Sequence, residues 1–163
     1  WLIFAPIKSF RMNISIQKAT ELGVSRFIPC VTQNTYQPKI NIRNLKMNII
    51  EAAEQSERLT IPMLDESTKL NNLLDNFPKD RAIIFCNENS KDLPLINRAL
   101  PGYLKDYKKW AVLIGPEGGF TEEEVNKIMS YSYSIPVSLG KRILRSDTAT
   151  AAAIFSIQSI IEK

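Results

Sequence analysis

Short apolar runs alternate with helix-like segments along almost the whole chain, and this alternation limits the possible folds more than any other feature. Five runs rich in β-branched and aromatic residues stand at positions 2–6, 26–31, 81–86, 110–114 and 135–139. Strands separated in this way by helices typically pair in parallel, and the helices cover both faces of the sheet. We therefore predict an α/β fold with a mostly parallel sheet flanked by helices.

The length and the apolar content fit one domain. The chain has 163 residues, of which 44% are hydrophobic, and a domain of that size buries roughly 70% of its unfolded surface. We expect a single domain over residues 1–163. Because the chain starts with Trp1 and an apolar run rather than with methionine, we also expect a preceding domain that this chain lacks.

Charge and residue usage exclude several classes of protein. A net charge of +4 favours an anionic partner, nucleic acid first. The chain has no histidine, which removes Ser-His-Asp and Cys-His catalysis, and Cys30 and Cys86 are too isolated to indicate zinc or a disulfide framework. No apolar stretch reaches the roughly 20 residues of a membrane span, and no signal pattern stands at the start. We expect a soluble cytoplasmic protein without a metal.

Two helices are predicted in the amino-terminal half. The first covers 12–22 and ends at Gly23, which suits the left-handed conformation that terminates many helices. The second covers 43–58, where Arg58 either complements the helix dipole or pairs with Glu54 one turn earlier. From spacing alone, this second helix end is better interpreted as structural than as functional.

Two further helices follow the last two strands. Thr121 and Glu124 have the spacing of a capping box, so a helix begins after Thr121. The last helix begins near Ser146, with Ser146 as its cap and Asp147 placed favourably for the helix dipole. The residues that precede both helices therefore form loops at the carboxyl ends of strands, where open α/β proteins bind ligands.

The first of these loops, 115–119, reads Gly-Pro-Glu-Gly-Gly and fits neither a P-loop nor a dinucleotide fingerprint. Gly118 and Gly119 let backbone amides approach a ligand closely, and Glu117 is the one side chain that supplies charge. The alternative is a tight strand-to-helix turn with a solvated glutamate.

The second loop, 138–150, carries Arg142 and Arg145 three residues apart. Planar guanidinium groups suit the oxygens of a phosphate or a base. The alternative is that both arginines are surface charges paired with Asp147 or Glu117.

Four segments in order along the chain resemble a known family. They are Gln-Lys-Ala-Thr-Glu-Leu-Gly-Val at 17–24, Glu-Ala-Ala-Glu-Gln-Ser at 51–56 with Arg58 and Pro62 behind it, the loop 115–119, and Leu-Gly at 139–140 followed by Arg-Ile-Leu-Arg at 142–145 and Thr-Ala at 148–149. This set resembles the 16S ribosomal RNA uridine-N3 methyltransferases, the RsmE family of the SPOUT superfamily, over nearly the whole chain. The resemblance implies a SPOUT-type α/β domain with a carboxyl-terminal trefoil knot, a homodimer, and a small RNA-binding barrel ahead of this domain.

The resemblance also implies S-adenosylmethionine as the cofactor, held by the two loops, with a third wall from the loop after Phe85. The implied binding positions are Leu113, Gly115, Pro116, Glu117, Gly118, Gly119, Ser138, Leu139, Gly140, Ile143, Leu144, Thr148 and Ala149.

The implied reaction is methylation of N3 of a uridine in 16S rRNA of the small ribosomal subunit. Arg145 would stabilise the negative charge that spreads over the uracil oxygens, and Glu117 is the candidate base. The RNA backbone would contact a positively charged surface, and the target base would be splayed into the pocket. The residues expected in that surface are Arg11, Lys18, Arg58, Lys141 and Arg142.

Three positions depart from the family pattern: Asp147 replaces Glu, Ser146 replaces Thr, and Asn34 replaces a frequent Arg. The first two keep the capping chemistry, whereas the third weakens the expectation that this loop grips RNA phosphate. Two other functions stay open, a ribose 2′-O RNA methyltransferase of the same superfamily and a non-catalytic ribosome- or RNA-binding module.

Overall fold

The computed structural model describes residues 1–36, 39–87 and 92–162. Within these ranges, the strands are β1 Leu2–Phe4, β2 Arg26–Val31, β3 Met63–Leu64, β4 Thr68–Lys69, β5 Arg81–Cys86, β6 Lys109–Ile114 and β7 Ser134–Val137. The helices are α1 Ser9–Glu21, α2 Ile42–Gln55, α3 Leu70–Asp75, α4 Ile96–Ala99, α5 Glu122–Met129 and α6 Ser146–Ile161, with a 3₁₀ turn at Leu100–Tyr103. No helix in the described ranges is both long and apolar enough to cross a membrane.

The strands form one sheet in the order β3-β2-β1-β6-β5-β7, and β4 pairs with β2 outside this path. Every described pairing is parallel, which confirms the predicted fold class. Four of the five predicted strands differ little or not at all from those observed, but the run 2–6 ends as a strand at Phe4. All carboxyl strand ends therefore lie along one edge of the sheet.

Alternate residues of the central strands belong to two separate hydrophobic cores, one on each face of the sheet. Leu2, Ile84 and Val112 pack on the face covered by α1, α2 and α6. Ile3 and Leu113 point to the other face, which α3 and α5 cover. This period of two explains why the strands are apolar throughout, because each side of the sheet is covered by helices.

Helix starts agree with the sequence at α5 and differ at α6. Thr121 and Glu124 form the predicted capping box, which is confirmed. Ser146 was predicted as the cap of the last helix, and this is wrong: Arg145 occupies the cap position with extended backbone, and Ser146 is the first helical residue. Asp147 lies in the first turn, where its carboxylate accepts the N–H of Thr148 at 3.0 Å.

Both amino-terminal helices end in the same hydrogen-bonded motif. The chain leaves α1 through Gly23 at φ +84°, as predicted. It leaves α2 through Glu57 at φ +54°, so that α2 ends at Gln55 and not near 58. In α2 the N–H of Arg58 reaches the Ala53 carbonyl at 2.9 Å, which is the Schellman closure with glutamate where glycine is usual.

Arg58 joins these two helix ends. Its Nη1 donates to the carbonyls of Thr20 and Val24, each at 2.8 Å. Burial lowers the pKa of this guanidinium from its ordinary value, but it has charge-assisted bonds to both carbonyls. Arg58 follows the end of α2, and its side chain therefore caps the carboxyl end of α1.

Replacing Arg58 with methionine keeps the apolar stem and leaves the two carbonyls without their donor. We expect the free energy of unfolding to fall by about 1.5–3 kcal/mol, measured by urea denaturation. Arg43→Met, at an exposed position at the start of the same helix, is the matched control and should change stability little. Equal stability of both variants would contradict a structural role for Arg58.

Candidate functional site

A cavity of about 370 Å³ opens at the carboxyl edge of the sheet, within the size range of small-molecule sites. It lies where β5, β6 and β7 end side by side, next to the start of α1. Cys86 and Asn87 supply the wall expected after Phe85, and residues 88–91 of that loop lie outside the described residues. The full lining is Arg11, Cys86, Asn87, residues 114–117, Gly119, Phe120, residues 138–146 and Ala149.

The loop 115–119 is shaped by its glycines. Gly119 has φ +68°, and its N–H donates to the Pro116 carbonyl at 2.9 Å, which closes a tight turn. At Gly115, a Cβ would lie 2.5 Å from the ring of Phe120. That ring folds back over Gly115 and packs edge-on against Phe85, with ring centroids 5.2 Å apart. Gly115 is therefore required for close packing and not only for flexibility.

The second loop leaves the sheet by an extra backbone contact. Ser138 follows β7 and forms a parallel bridge with Leu95. Its Oγ then accepts the N–H of Gly140 at 3.1 Å, and Gly140 has φ +125°, a conformation that favours glycine. The chain thereby turns over the cavity, which brings Leu139 and Leu144 to its wall. Ile143 also lines the cavity but is 82% exposed.

Charged groups at the cavity are mostly positive. Arg11, Lys141, Arg142 and Arg145 line it, whereas Glu117 is the one carboxylate among the described lining residues. Glu117 Oε1 lies 3.8 Å from Arg11 Nε, and its side chain is 52% exposed, so that this pair adds little stability.

The expected alternative, surface pairing of Arg142 and Arg145 with Asp147 or Glu117, is not observed in the part of the chain that the structure describes. Within these residues, Lys141 is also without an ion pair. Three cations at the cavity are thus available to an anionic ligand.

Two of the residues expected to contact RNA lie elsewhere. Lys18 is near the far end of α1, where its Nζ pairs with Glu21 at 3.0 Å. Arg58 bonds the backbone at that same end. Arg11, at the near end of α1, lines the cavity. Helix α1 thus separates these cations into a cavity group and a group at the opposite edge of the sheet.

Three of the expected cofactor positions do not line the cavity. Leu113 is fully buried on the sheet face covered by α3 and α5, because its side chain alternates with that of Ile114, which does line the cavity. Thr148 is exposed on α6. Gly118 lies behind the cavity wall, where its carbonyl accepts a side-chain bond. The remaining expected positions, from Gly115 to Ala149, are brought together.

Three lining residues were not among those predicted for the site. Ile114 and Phe120 flank the Gly-Pro-Glu-Gly-Gly motif, and Ser146 opens α6. Each is adjacent in sequence to a predicted strand end or loop. Whether a strand residue lines the cavity depends on the face of the sheet to which its side chain points. For this reason Ile114 lines the cavity and Leu113 does not.

Burial shifts the titration of both cysteine thiols. It raises the pKa of the Cys86 thiol, which lines the cavity, to about 12. Burial first, and the Glu124 carboxylate second, raise the pKa of Cys30 to about 12. Both thiols therefore favour the neutral form near pH 7. Over the described ranges, no group of three or more acidic, cysteine or histidine side chains is placed to hold a metal ion.

Comparison with known proteins gives consistent matches. The profile of a family described as an RNA methyltransferase domain matches residues 1–158. A ribosomal RNA small subunit methyltransferase E from Rickettsia conorii is 33% identical over 157 residues, which cover 96% of this chain and 63% of that protein. One of the same name from Buchnera aphidicola subsp. Schizaphis graminum is 34% identical, with 93% and 61% covered.

A solved structure agrees. The crystal structure of a ribosomal RNA small subunit methyltransferase E from Neisseria gonorrhoeae bound to S-adenosyl methionine superposes with a TM-score of 0.81 at 29% identity. The match covers 98% of this chain and 65% of that one. The chain thus spans somewhat less than two thirds of the length of these relatives.

Gly115→Ala places a methyl group against the Phe120 ring. We expect a loss of about 1–3 kcal/mol in stability from this overpacking, measured by urea denaturation. Gly102→Ala is the control, because a Cβ there meets nothing within 4 Å. A Gly115→Ala protein that behaves like Gly102→Ala would show that the Phe120 packing does not matter.

Proposed function

This chain belongs to the RNA methyltransferase domain family, and from that membership we propose that it methylates N3 of a uridine in 16S rRNA with S-adenosylmethionine as the methyl donor. The resemblance to the RsmE family is confirmed by the relatives named above. The observation that carries the proposal is the composite cavity, in which a glycine-rich loop and an arginine-bearing loop meet. The proposed substrate, small-subunit ribosomal RNA, is the one that the relatives' name gives. The proposed site of action is the cytoplasm, where the ribosomal subunit is.

The cavity suits the proposed cofactor. Its volume of about 370 Å³ is that of a small-molecule site, and the side-chain-free Gly115 leaves its backbone groups open to polar contacts. Leu139, Ile143 and Leu144 offer apolar surface for the adenine ring. When bound, S-adenosylmethionine supplies an electrophilic methyl group on a positively charged sulfur. Leu113, Gly118 and Thr148 are left out of the proposed contact set because they do not line the cavity.

The proposed work of the protein is to stabilise charge and to take a proton. N3 of uridine is a weakly acidic imide nitrogen, and its deprotonation spreads negative charge onto O2 and O4. Arg145 lines the cavity at the amino end of α6. Its guanidinium and the positive end of the helix dipole therefore both stabilise negative charge on the uracil oxygens. Glu117 is proposed as the base, because it is the one carboxylate among the described lining residues.

Fewer residues are proposed to contact RNA than were predicted from the sequence. Lys141 and Arg142 are exposed at the cavity and have no ion pair among the described residues, so they can bind backbone phosphate. Arg11 adds charge beside Glu117. Lys18 and Arg58 are not included, because their charged groups have partners at the opposite edge of the sheet.

A homodimer is part of the proposal. Large apolar side chains are exposed on α1, in the second loop and on α6: Phe10 is 76% exposed, Ile143 82%, and Phe155 63%. Exposed apolar groups of this size mark protein interfaces when they cluster. Sedimentation of the protein as a monomer at micromolar concentration would contradict this part.

The trefoil knot is likewise proposed. It is supported by the path of the chain after β7, because Ser138 pairs with Leu95 before α6 returns to pack against α1. At the end of that path the amide of Gln158 donates to the Leu22 carbonyl. An experimental backbone trace in which residues 138–162 pass outside the loop between β5 and α4 would contradict the knot.

Methyl transfer to small ribosomal subunits that lack the modification tests the function. Digestion of the product RNA and mass spectrometry should show 3-methyluridine. A ribose-methylated nucleoside would instead identify a 2′-O-methyltransferase, and the absence of any heat on titration with S-adenosylmethionine would favour a non-catalytic RNA-binding module. If this chain alone gives no product, fusing it to the amino-terminal domain of a relative separates lost substrate recognition from lost catalysis.

In the same assay, Arg145→Ala removes the proposed charge-stabilising donor. We expect the rate at saturating cofactor to fall by at least about 100-fold, while the affinity for S-adenosylmethionine stays within a few-fold. Arg98→Ala, at an exposed arginine of α4 outside the cavity lining, should leave both unchanged. Loss of cofactor affinity with an intact saturated rate would reassign Arg145 to cofactor binding.

A further inference from the structure

The turn at residues 32–35 contacts the loop 115–119 from outside the cavity. The side-chain amide of Asn34 donates to two successive carbonyls of that loop, those of Gly118 and Gly119, each at 3.1 Å. An asparagine amide has two N–H donors, enough for both bonds. Asn34 itself does not line the cavity, whereas Gly119 and Phe120 do.

These two bonds orient the peptide groups that border the cavity. A trans peptide is planar, so a fixed carbonyl also fixes the N–H of the next residue, which points the opposite way. The Gly118 carbonyl thus orients the Gly119 N–H, which closes the turn on Pro116. The Gly119 carbonyl orients the Phe120 N–H away from Asn34.

The turn at residues 32–35 has a second attachment, which joins it to the start of α5. One carboxylate oxygen of Glu124 accepts the N–H of Gln33 at 2.8 Å, and the other accepts the N–H of Thr121 at 3.0 Å. Glu124 is only 6% exposed. It therefore caps α5 and also links that helix start to the turn, 91 residues earlier in the chain.

The turn is closed by its own hydrogen bonds, and its contact with the loop 115–119 is close. Thr35 Oγ1 accepts the N–H of Thr32 at 2.9 Å, and the Thr35 N–H donates to the Thr32 carbonyl at 3.2 Å. A Cβ on Gly118 would lie 3.2 Å from the Cβ of Asn34, so the two backbones approach as closely as they do because residue 118 is glycine.

We propose that Asn34 is a positioning residue that holds the loop 115–119 in its ligand-binding form without touching the ligand. The proposal rests on the proposed function in one respect, since the ligand is taken to be S-adenosylmethionine. Its mechanism does not, because the two Asn34 bonds hold the loop with no ligand bound.

Two variants and one control test the proposal. Asn34→Ala removes both donors, and Asn34→Asp keeps the shape but sets a carboxylate oxygen against the loop carbonyls. Gln33→Ala, in the same turn, keeps the backbone bond to Glu124 and is the control. Hydrogen exchange of the Gly119 amide, which donates to the Pro116 carbonyl, is measured for each cofactor-free protein. Calorimetric titration with S-adenosylmethionine is measured for each protein as well.

For Asn34→Ala we expect the Gly119 amide to exchange about tenfold faster and the Kd for S-adenosylmethionine to rise about tenfold, with larger effects for Asn34→Asp. In methyl transfer, the KM for the cofactor should rise while kcat and the KM for RNA stay within about twofold. Gln33→Ala should match the wild type throughout.

Unchanged exchange in both Asn34 variants, or unchanged cofactor affinity despite faster exchange, would overturn the proposal. Failure of the wild-type protein to bind S-adenosylmethionine would instead count against the proposed function. The exchange experiment would still decide whether Asn34 holds the loop, because it needs no cofactor.

Discussion

Parallel pairing of β5 with both β6 and β7 is the constraint on which the site depends. In this register Phe85 lies opposite Leu113, and Cys86 lies opposite Val137. The three segments that leave these strands therefore start within about 5–10 Å of one another, one or two strand spacings apart. Glycines, arginines and caps then act on loops that backbone hydrogen bonds have already brought together.

Absent side chains shape the cavity as much as present ones. Gly115 leaves room for the Phe120 ring, and Gly118 leaves room for Asn34. In both cases a neighbouring side chain supports the loop where a Cβ would otherwise stand. The loop backbone is thereby packed on one side and open to a ligand on the other, which combines order with accessible polar groups.

Arg58 and Arg145 both stand beside helix ends, but their surroundings give them different roles. Arg58 meets two backbone carbonyls at the end of α1, so its charge is used to close a helix. Arg145 stands at the start of α6, lines the cavity and has no ion pair among the described residues. The nearest acceptors, and not the local sequence, decide which arginine is structural.

Local patterns in the sequence determined five of the seven strands among the described residues, the parallel fold class, the Thr121 and Glu124 capping box and the two loops at strand ends, because these depend on nearby residues and on periodicity. Tertiary structure alone decided the rest. Which side chain of an apolar strand faces the cavity, as with Ile114 rather than Leu113, depends on which helices cover each face. The bonds of Asn34 and Arg58 likewise join groups 84 and 38 residues apart, and only packing of the whole sheet brings such groups together.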